Sequence, residues 1–211
     1  MTIQYFISQI KKYWRQIAII FFLSSVLGFF TALVQTPKYA SESRLLIINY
    51  NADVLKSFQS SEALGNLLAE IIYSQNFFKK VISGDEKINK KYFPVNNKRK
   101  LKKAWKDTVE MKTINSSGFL EVKIFHPSFV QAQLLNESFN INLINYAQKI
   151  YPRAKIEILD PPSLSDMPVK PNILANTFIF GIFGLIIFLI SLYAKNQFAQ
   201  NNNTISNPSS D

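Results

Sequence analysis

Two long uncharged apolar runs stand near opposite ends of this 211-residue chain, and they constrain what it can fold into more than any other feature. The first, Ile17 to Val34 (IAIIFFLSSVLGFFTALV), covers roughly 27 Å as a helix, close to the hydrocarbon thickness of a bilayer. The second, Ile173 to Ala194 (ILANTFIFGIFGLIIFLISLYA), is interrupted only by Asn176, Thr177 and Ser191. Each reads as a transmembrane helix. A cleaved signal peptide has an apolar core of about 7–15 residues and a small-x-small site. Here the run is longer, and the TPKYAS that follows carries bulky Lys38 and Tyr39 where a cleavage site would need small residues. A buried helix of a soluble core is the other reading of one such run, but not of two that flank a polar middle. The expected division is a cytoplasmic segment 1–16, a membrane helix 17–35, an extracytoplasmic domain 36–172, a second membrane helix 173–194 and a polar tail 195–211.

Orientation follows from the short flanks. Lys11, Lys12 and Arg15 precede the first helix, Lys195 follows the second, and neither flank holds an acidic residue, so both termini are expected in the cytoplasm. The expected location is the cytoplasmic (inner) membrane, spanned twice. The middle holds the other 20 of 24 basic residues but is far longer than the ~60 residues over which the charge rule governs translocation.

The middle carries the alternation of a folded α+β domain. Glu42 to Tyr50 reads as a strand, followed by a long helix capped by Ser61 with Leu64, Leu68, Ile71, Phe78 and Ile82 on one face. Val109–Ile114 and Phe119–Phe125 flank Asn115-Ser116-Ser117-Gly118 as a hairpin. From Pro127, placed in a first helical turn, Ala132, Leu135, Phe139, Leu143, Tyr146 and Ile150 recur at spacings of three and four. Ala154 to Leu159 alternates once more. The order β-α-β-β-α-β predicts a split-βαβ, ferredoxin-like domain with a long amphipathic helix.

Composition excludes much chemistry. There is no Cys, one His and six Gly, so thiol nucleophiles, zinc clusters and glycine-rich phosphate loops lack their residues. No paired-carboxylate or nucleophile constellation emerges, and the expectation is a non-enzymatic protein with no catalytic residue, no cofactor and no metal. His126 reads as a helix-start residue, because no second His or Cys exists to help it bind a metal.

Three features could carry function. Four prolines, Pro161, Pro162, Pro168 and Pro171, fix φ near −65° and predict a stiff polyproline-like strap coupling the last strand to the second membrane helix; a plain linker would need only about one. Ser24, Gly28 and Ala32 in the first membrane helix, and Thr177, Gly181 and Gly184 in the second, form small-residue faces fit for close helix packing. Between Asp85 and Lys106 nine Lys/Arg face two acids, a net of +7, while the rest of the middle balances at 11 and 11. There Lys98, Arg99, Lys100, Lys102, Lys103 and Lys106 ring Leu101 and Trp105, a pattern suited to an anionic membrane surface or an acidic polymer, with a solvated charged helix as the plain alternative. Nucleic acid fits the charge but not the expected side of the membrane.

The residues also carry a resemblance. YFISQIKKYWRQI running into the first membrane helix, Gly28 and Thr31 within it, and Pro37-Lys38-Tyr39-Ala40-Ser41 before the first strand resemble the opening of the Wzz-type chain-length determinants, or polysaccharide co-polymerases. Pro161-Pro162-Ser163-Leu164-Ser165-Asp166-Met167-Pro168-Val169-Lys170-Pro171-Asn172, followed by a helix with Gly181 and Gly184, is similar to that family's proline-rich signature. Phe125-His126-Pro127 with Ala132 and Asn136 resembles its strand-to-helix junction, with His126 where an acidic residue is more usual. The middle is short beside many members, and Asp85 to Lys106 matches nothing in the pattern. No GxxxxGK[ST] occurs, so the kinase fused to some relatives is missing from this chain. The resemblance implies a homo-oligomeric scaffold that sets the chain length of a surface polysaccharide (O-antigen, capsule or exopolysaccharide), with a separate polymerase, a lipid-linked glycan and membrane lipids as partners. The competing classes are an adaptor for a separate cytoplasmic tyrosine kinase and a ligand-sensing ectodomain.

Overall fold

The structure, a computed structural model, describes residues 3–49, 54–94, 97–114 and 118–205. The chain divides into two compact units, one of the two terminal helices and one spanning Pro37–Lys170. In the first unit α1 runs Ile3–Leu33 and α6 runs Ile173–Ile205, each beyond its apolar run because no Pro or Gly breaks the flanking polar turns. The stretches Lys11–Leu33 and Ile173–Lys195 are long and apolar enough to cross a membrane. Their large side chains are mostly exposed, Leu174 at 85%, which water would penalise and lipid would not.

The second unit is α+β: β1 Tyr39–Asn49, α2 Val54–Ile71, α3 Gln75–Ser83, α4 Lys98–Thr108, β2 Val109–Ile114, β3 Phe119–His126, α5 Phe129–Ile150 and β4 Ala154–Leu164. The strands form one antiparallel sheet in the order β2-β3-β1-β4. β1 lies inside it, with Leu45 opposite Leu120 on β3 and Ile47 opposite Ile156 on β4. The alternation read from the sequence holds in β3, where Leu120, Val122 and Ile124 turn inward, and in β1 the structure turns Ser41, Ser43, Leu45 and Ile47 inward beside them. Of the hairpin turn, Asn115, Ser116 and Ser117 lie outside the described residues. Gly118 takes φ +75°, where a side chain would be strained, and its carbonyl accepts from the Ile47 N–H at 2.9 Å.

Three expectations change. The single helix from Ser61 is two helices, because Ser74 caps α3 by accepting from the Phe77 N–H at 3.2 Å. Ser61 lies inside α2, buried, with its hydroxyl donating to the Ile47 carbonyl at 3.3 Å. Pro127 stands ahead of the N-cap Ser128, outside α5. The last strand runs on to Leu164, so Pro161 and Pro162 belong to β4. Both prolines fall where the pairing with β1 shifts, between Arg44 opposite Asp160 and Glu42 opposite Ser163. An edge strand at a bulge is where a sheet tolerates residues without an N–H.

The core lies between the sheet and the helices. Phe77 meets Phe139 edge-on at 5.2 Å, a geometry aromatic pairs favour, and the Phe78 ring packs tilted against Trp105 at 4.3 Å. The buried Trp105 indole N–H donates to the Ile72 carbonyl at 2.6 Å, satisfying the open turn between α2 and α3. Beneath α5 a polar ladder fixes helix against strand. Asn136 donates to the Ser41 carbonyl at 2.9 Å, the Ser43 hydroxyl donates to Asn136 at 2.9 Å, and Asn140 donates to the Ser43 hydroxyl at 3.0 Å. All four side chains are buried, so each unmade bond leaves a desolvated polar atom. Asn136→Ala is expected to lower the unfolding free energy of the full chain by about 2 kcal/mol, read as a shifted denaturant midpoint with an unchanged slope.

Candidate functional site

The +7 segment, which matches nothing in the family pattern, belongs to the Pro37–Lys170 unit. Ile88 and Phe93 are buried, and Gln131 of α5 clamps the loop before them by accepting from the Asn89 N–H at 2.8 Å and donating to the Lys87 carbonyl at 3.0 Å. Asn97 caps α4 by accepting from the N–H groups of Arg99 and Lys100 at 3.1 and 3.0 Å. Leu101, Trp105 and Thr108, spaced four and three, then face the core. Lys98, Arg99, Lys100, Lys102, Lys103 and Lys106 are left on the exposed side.

This corrects one part of the sequence reading. Leu101 and Trp105 are 1% and 2% exposed, so the apolar stripe that would enter a lipid surface is spent on the protein's own core. The cations remain outward, and none of the six enters an ion pair among the described residues. Lys106 lies over the Tyr73 ring at 5.8 Å, and burial raises that phenol's pKa above its ordinary value, with Glu110 adding to the effect. Between α3 and α4 lies a cavity of about 280 Å³ with Phe78, Leu101 and Trp105 as its floor, Tyr73 as a wall and Lys98 and Lys102 at its rim. Sequence spacing does not show it, because one side comes from the break between α2 and α3, where the apolar spacing runs on without interruption, and the other from a helix whose inward face only the fold defines.

A second cluster gathers at the end of the sheet where the chain enters and leaves Pro37–Lys170. The Lys38 N–H donates to the Lys170 carbonyl at 2.9 Å and the Val169 N–H returns to the Lys38 carbonyl at 2.8 Å. Ser165 bonds Ala40 in both directions, through its hydroxyl at 3.0 Å and its N–H at 2.9 Å. The proline-rich segment is thus laced to the start of β1: Pro161 and Pro162 lie in β4, Pro168 lies within the laced stretch and Pro171 follows it. A free polyproline strap would make no such bonds. The Lys170 ammonium sits 3.4 Å from the centre of the Phe125 ring, and burial holds its pKa below the usual lysine range.

His126 lies beside these residues, 5% exposed, its ring edge-on to Tyr92 at 4.3 Å. Its Nδ1 accepts from the Ser128 N–H at 3.0 Å, which ties it to the start of α5, while the buried Nε2 has no partner. Burial pushes its pKa down, and the nearby Lys38 charge acts in the same direction.

In the helical unit the small faces meet each other within one chain. A side chain added at Gly28 would sit 2.6 Å from Phe180 and 2.9 Å from the Asn176 carbonyl, one at Gly181 2.6 Å from the Phe21 ring, and one at Gly184 would collide with Ser24. Ala32 and Gly181 are buried there, Thr177 is half-buried, and the Ser25 and Thr177 hydroxyls are enclosed without partners. The glycines pair the chain's own helices.

These features define a class: an α+β domain bracketed by two helices able to cross a membrane, with no group of three or more metal-binding side chains among the described residues. No protein-family profile matches the chain. It is similar to the capsular polysaccharide biosynthesis protein CpsC of Streptococcus agalactiae, and to the protein of the same name from a serotype Ia strain of that species. Each is 25% identical over 183 residues, covering 83% of this chain and 75% of the relative.

The His126 environment gives a pH dependence. Below an ordinary histidine pKa of about 6.5 the unfolded chain takes up a proton that the folded chain, with its lowered pKa, refuses. Stability is therefore expected to fall as pH drops through 6.5 toward the folded pKa. Melting temperatures of wild type and His126→Asn between pH 7.5 and 5.5 check it, with the shallower dependence expected in the variant.

Proposed function

We propose that this chain is a polysaccharide co-polymerase, a scaffold in the cytoplasmic membrane that sets the chain length of a surface polysaccharide made by a separate polymerase. The observation that carries the reading is the similarity to two capsular polysaccharide biosynthesis proteins, which extends over 83% of the chain. It agrees with the resemblance of the proline-rich segment and both membrane flanks to the Wzz-type proteins. Strand order β2-β3-β1-β4, with helices joining β1 to β2 and β3 to β4, supports the split-βαβ reading of the ectodomain.

In this proposal Lys11, Lys12, Arg15 and Lys195 hold both termini in the cytoplasm, and Pro37–Lys170 faces outward. The chain performs no bond chemistry of its own. Copies assembled side by side present the same weak glycan contacts repeatedly, and a longer polymer engages more of them at once. Avidity then rises with length until transfer or release takes over. The laced segment ending at Pro171 passes the position of the ectodomain to the second membrane helix through a connection with few free torsions.

Two measurements test this. Reporter fusions are expected to place Tyr5 and Ser206 in the cytoplasm and Asn89 outside; termini on opposite faces contradict the two-span scaffold. Pro168→Ala with Pro171→Ala loosens two torsions while leaving the ectodomain core untouched, so expression is expected to persist and the polymer length distribution to broaden. A distribution identical to wild type removes the prolines from length control.

A further inference from the structure

The cavity between α3 and α4 has a chemistry that the scaffold reading leaves unused. Its floor of Phe78, Leu101 and Trp105 is apolar and buried, with the Phe78 ring tilted against Trp105 at 4.3 Å and the indole N–H held by the Ile72 carbonyl. Tyr73 forms a half-exposed wall, and Gln75 offers an exposed amide at the margin. Lys98 and Lys102, one helical turn apart, reach the rim from the same face of α4. Among the described residues no carboxylate lines the cavity, so neither cation is neutralised within it. Its volume of about 280 Å³ lies at the low end of small-molecule sites, which run from roughly 300 Å³ upward, and suits one ring.

Insertion into a lipid surface needs a protruding apolar stripe, and the apolar residues of α4 are turned into the fold. A pyranose ring bearing a carboxylate matches the remaining features: one ring face for the half-buried Tyr73, hydroxyls for Gln75 and a negative charge for the paired lysines.

We infer that the cavity between α3 and α4 binds a single acidic sugar residue of the polymer, with Lys98 and Lys102 pairing its carboxylate and Tyr73 flanking its ring. The inference rests on the polysaccharide reading above and names the sugar class and the subsite. Lys100 and Lys103 share the helix but not the cavity, and they contribute only long-range attraction.

The test uses the full chain in nanodiscs of neutral phosphatidylcholine. The probe is a hexasaccharide of alternating glucuronate and N-acetylglucosamine, with uncharged maltohexaose as the comparison. Wild type is expected to bind the acidic probe at least ~10-fold tighter than the neutral one. Lys98→Gln with Lys102→Gln is expected to lose about tenfold in affinity, and Lys100→Gln with Lys103→Gln less than about threefold, with unfolding midpoints unchanged in both because all four side chains are exposed. Equal losses in the two pairs, or no preference for the acidic probe in wild type, overturn the subsite. A deletion strain whose surface polymer keeps its length distribution overturns the scaffold reading instead, whatever the binding shows.

Discussion

The Pro37–Lys170 domain is organised around β1. As an interior strand it exchanges hydrogen bonds with β3 on one side and β4 on the other, and its inward side chains meet the core along its length. Its first half is polar there: Ser41 and Ser43 bond Asn136 and Asn140, one turn apart on α5, which sets the register of the longest ectodomain helix over the sheet. Its second half is apolar, with Leu45 and Ile47 in the aromatic and aliphatic core. A one-residue slip would expose Leu45 and Ile47 and bury Glu42 and Arg44, so the strand has one workable register. The Lys38–Lys170 pairing just before β1 brings the two ends of the Pro37–Lys170 unit together.

Much of this was legible in the sequence because it depends on local alternation. The apolar runs, the β2–β3 hairpin, the inward positions of β3 and the spacing along α5 follow from periodicity that tertiary contacts reinforce. What was not legible depends on partners distant in sequence. The break at Ile72-Tyr73-Ser74 is stabilised by Trp105, 33 residues on from Ile72, so the helical spacing of Leu68 and Phe78 looked continuous. β4 continues through Pro161 and Pro162 because it bulges there against β1, a tolerance that composition cannot reveal. The stripe of Leu101 and Trp105 was correctly periodic but assigned to the wrong environment, since periodicity marks a face without saying what covers it. The small faces of the two apolar helices were visible as spacing, and their mutual contact at Gly28 and Gly181 gives that spacing an occupant within the chain.

The electrostatics separate structure from surface. Charged pairs of the sheet, such as Lys123 with Glu42 at 2.9 Å, are partly exposed and contribute little to stability. The α4 cations have no such partners among the described residues, so their field extends into solvent, and the aromatic floor beside Lys98 and Lys102 turns part of that field into a shaped site. A weak subsite suits a scaffold in the proposed role. Strong capture of one sugar would stall a growing polymer, whereas modest contacts repeated over copies count its length.

The most direct measurement of the central claim is the length distribution of the surface polysaccharide at graded expression of this chain, with the polymerase held constant. Length control by a scaffold is expected to move the modal length while the total mass of polymerised sugar stays nearly constant. A modal length that ignores the dose, or a total mass that rises in proportion to it, would contradict the account.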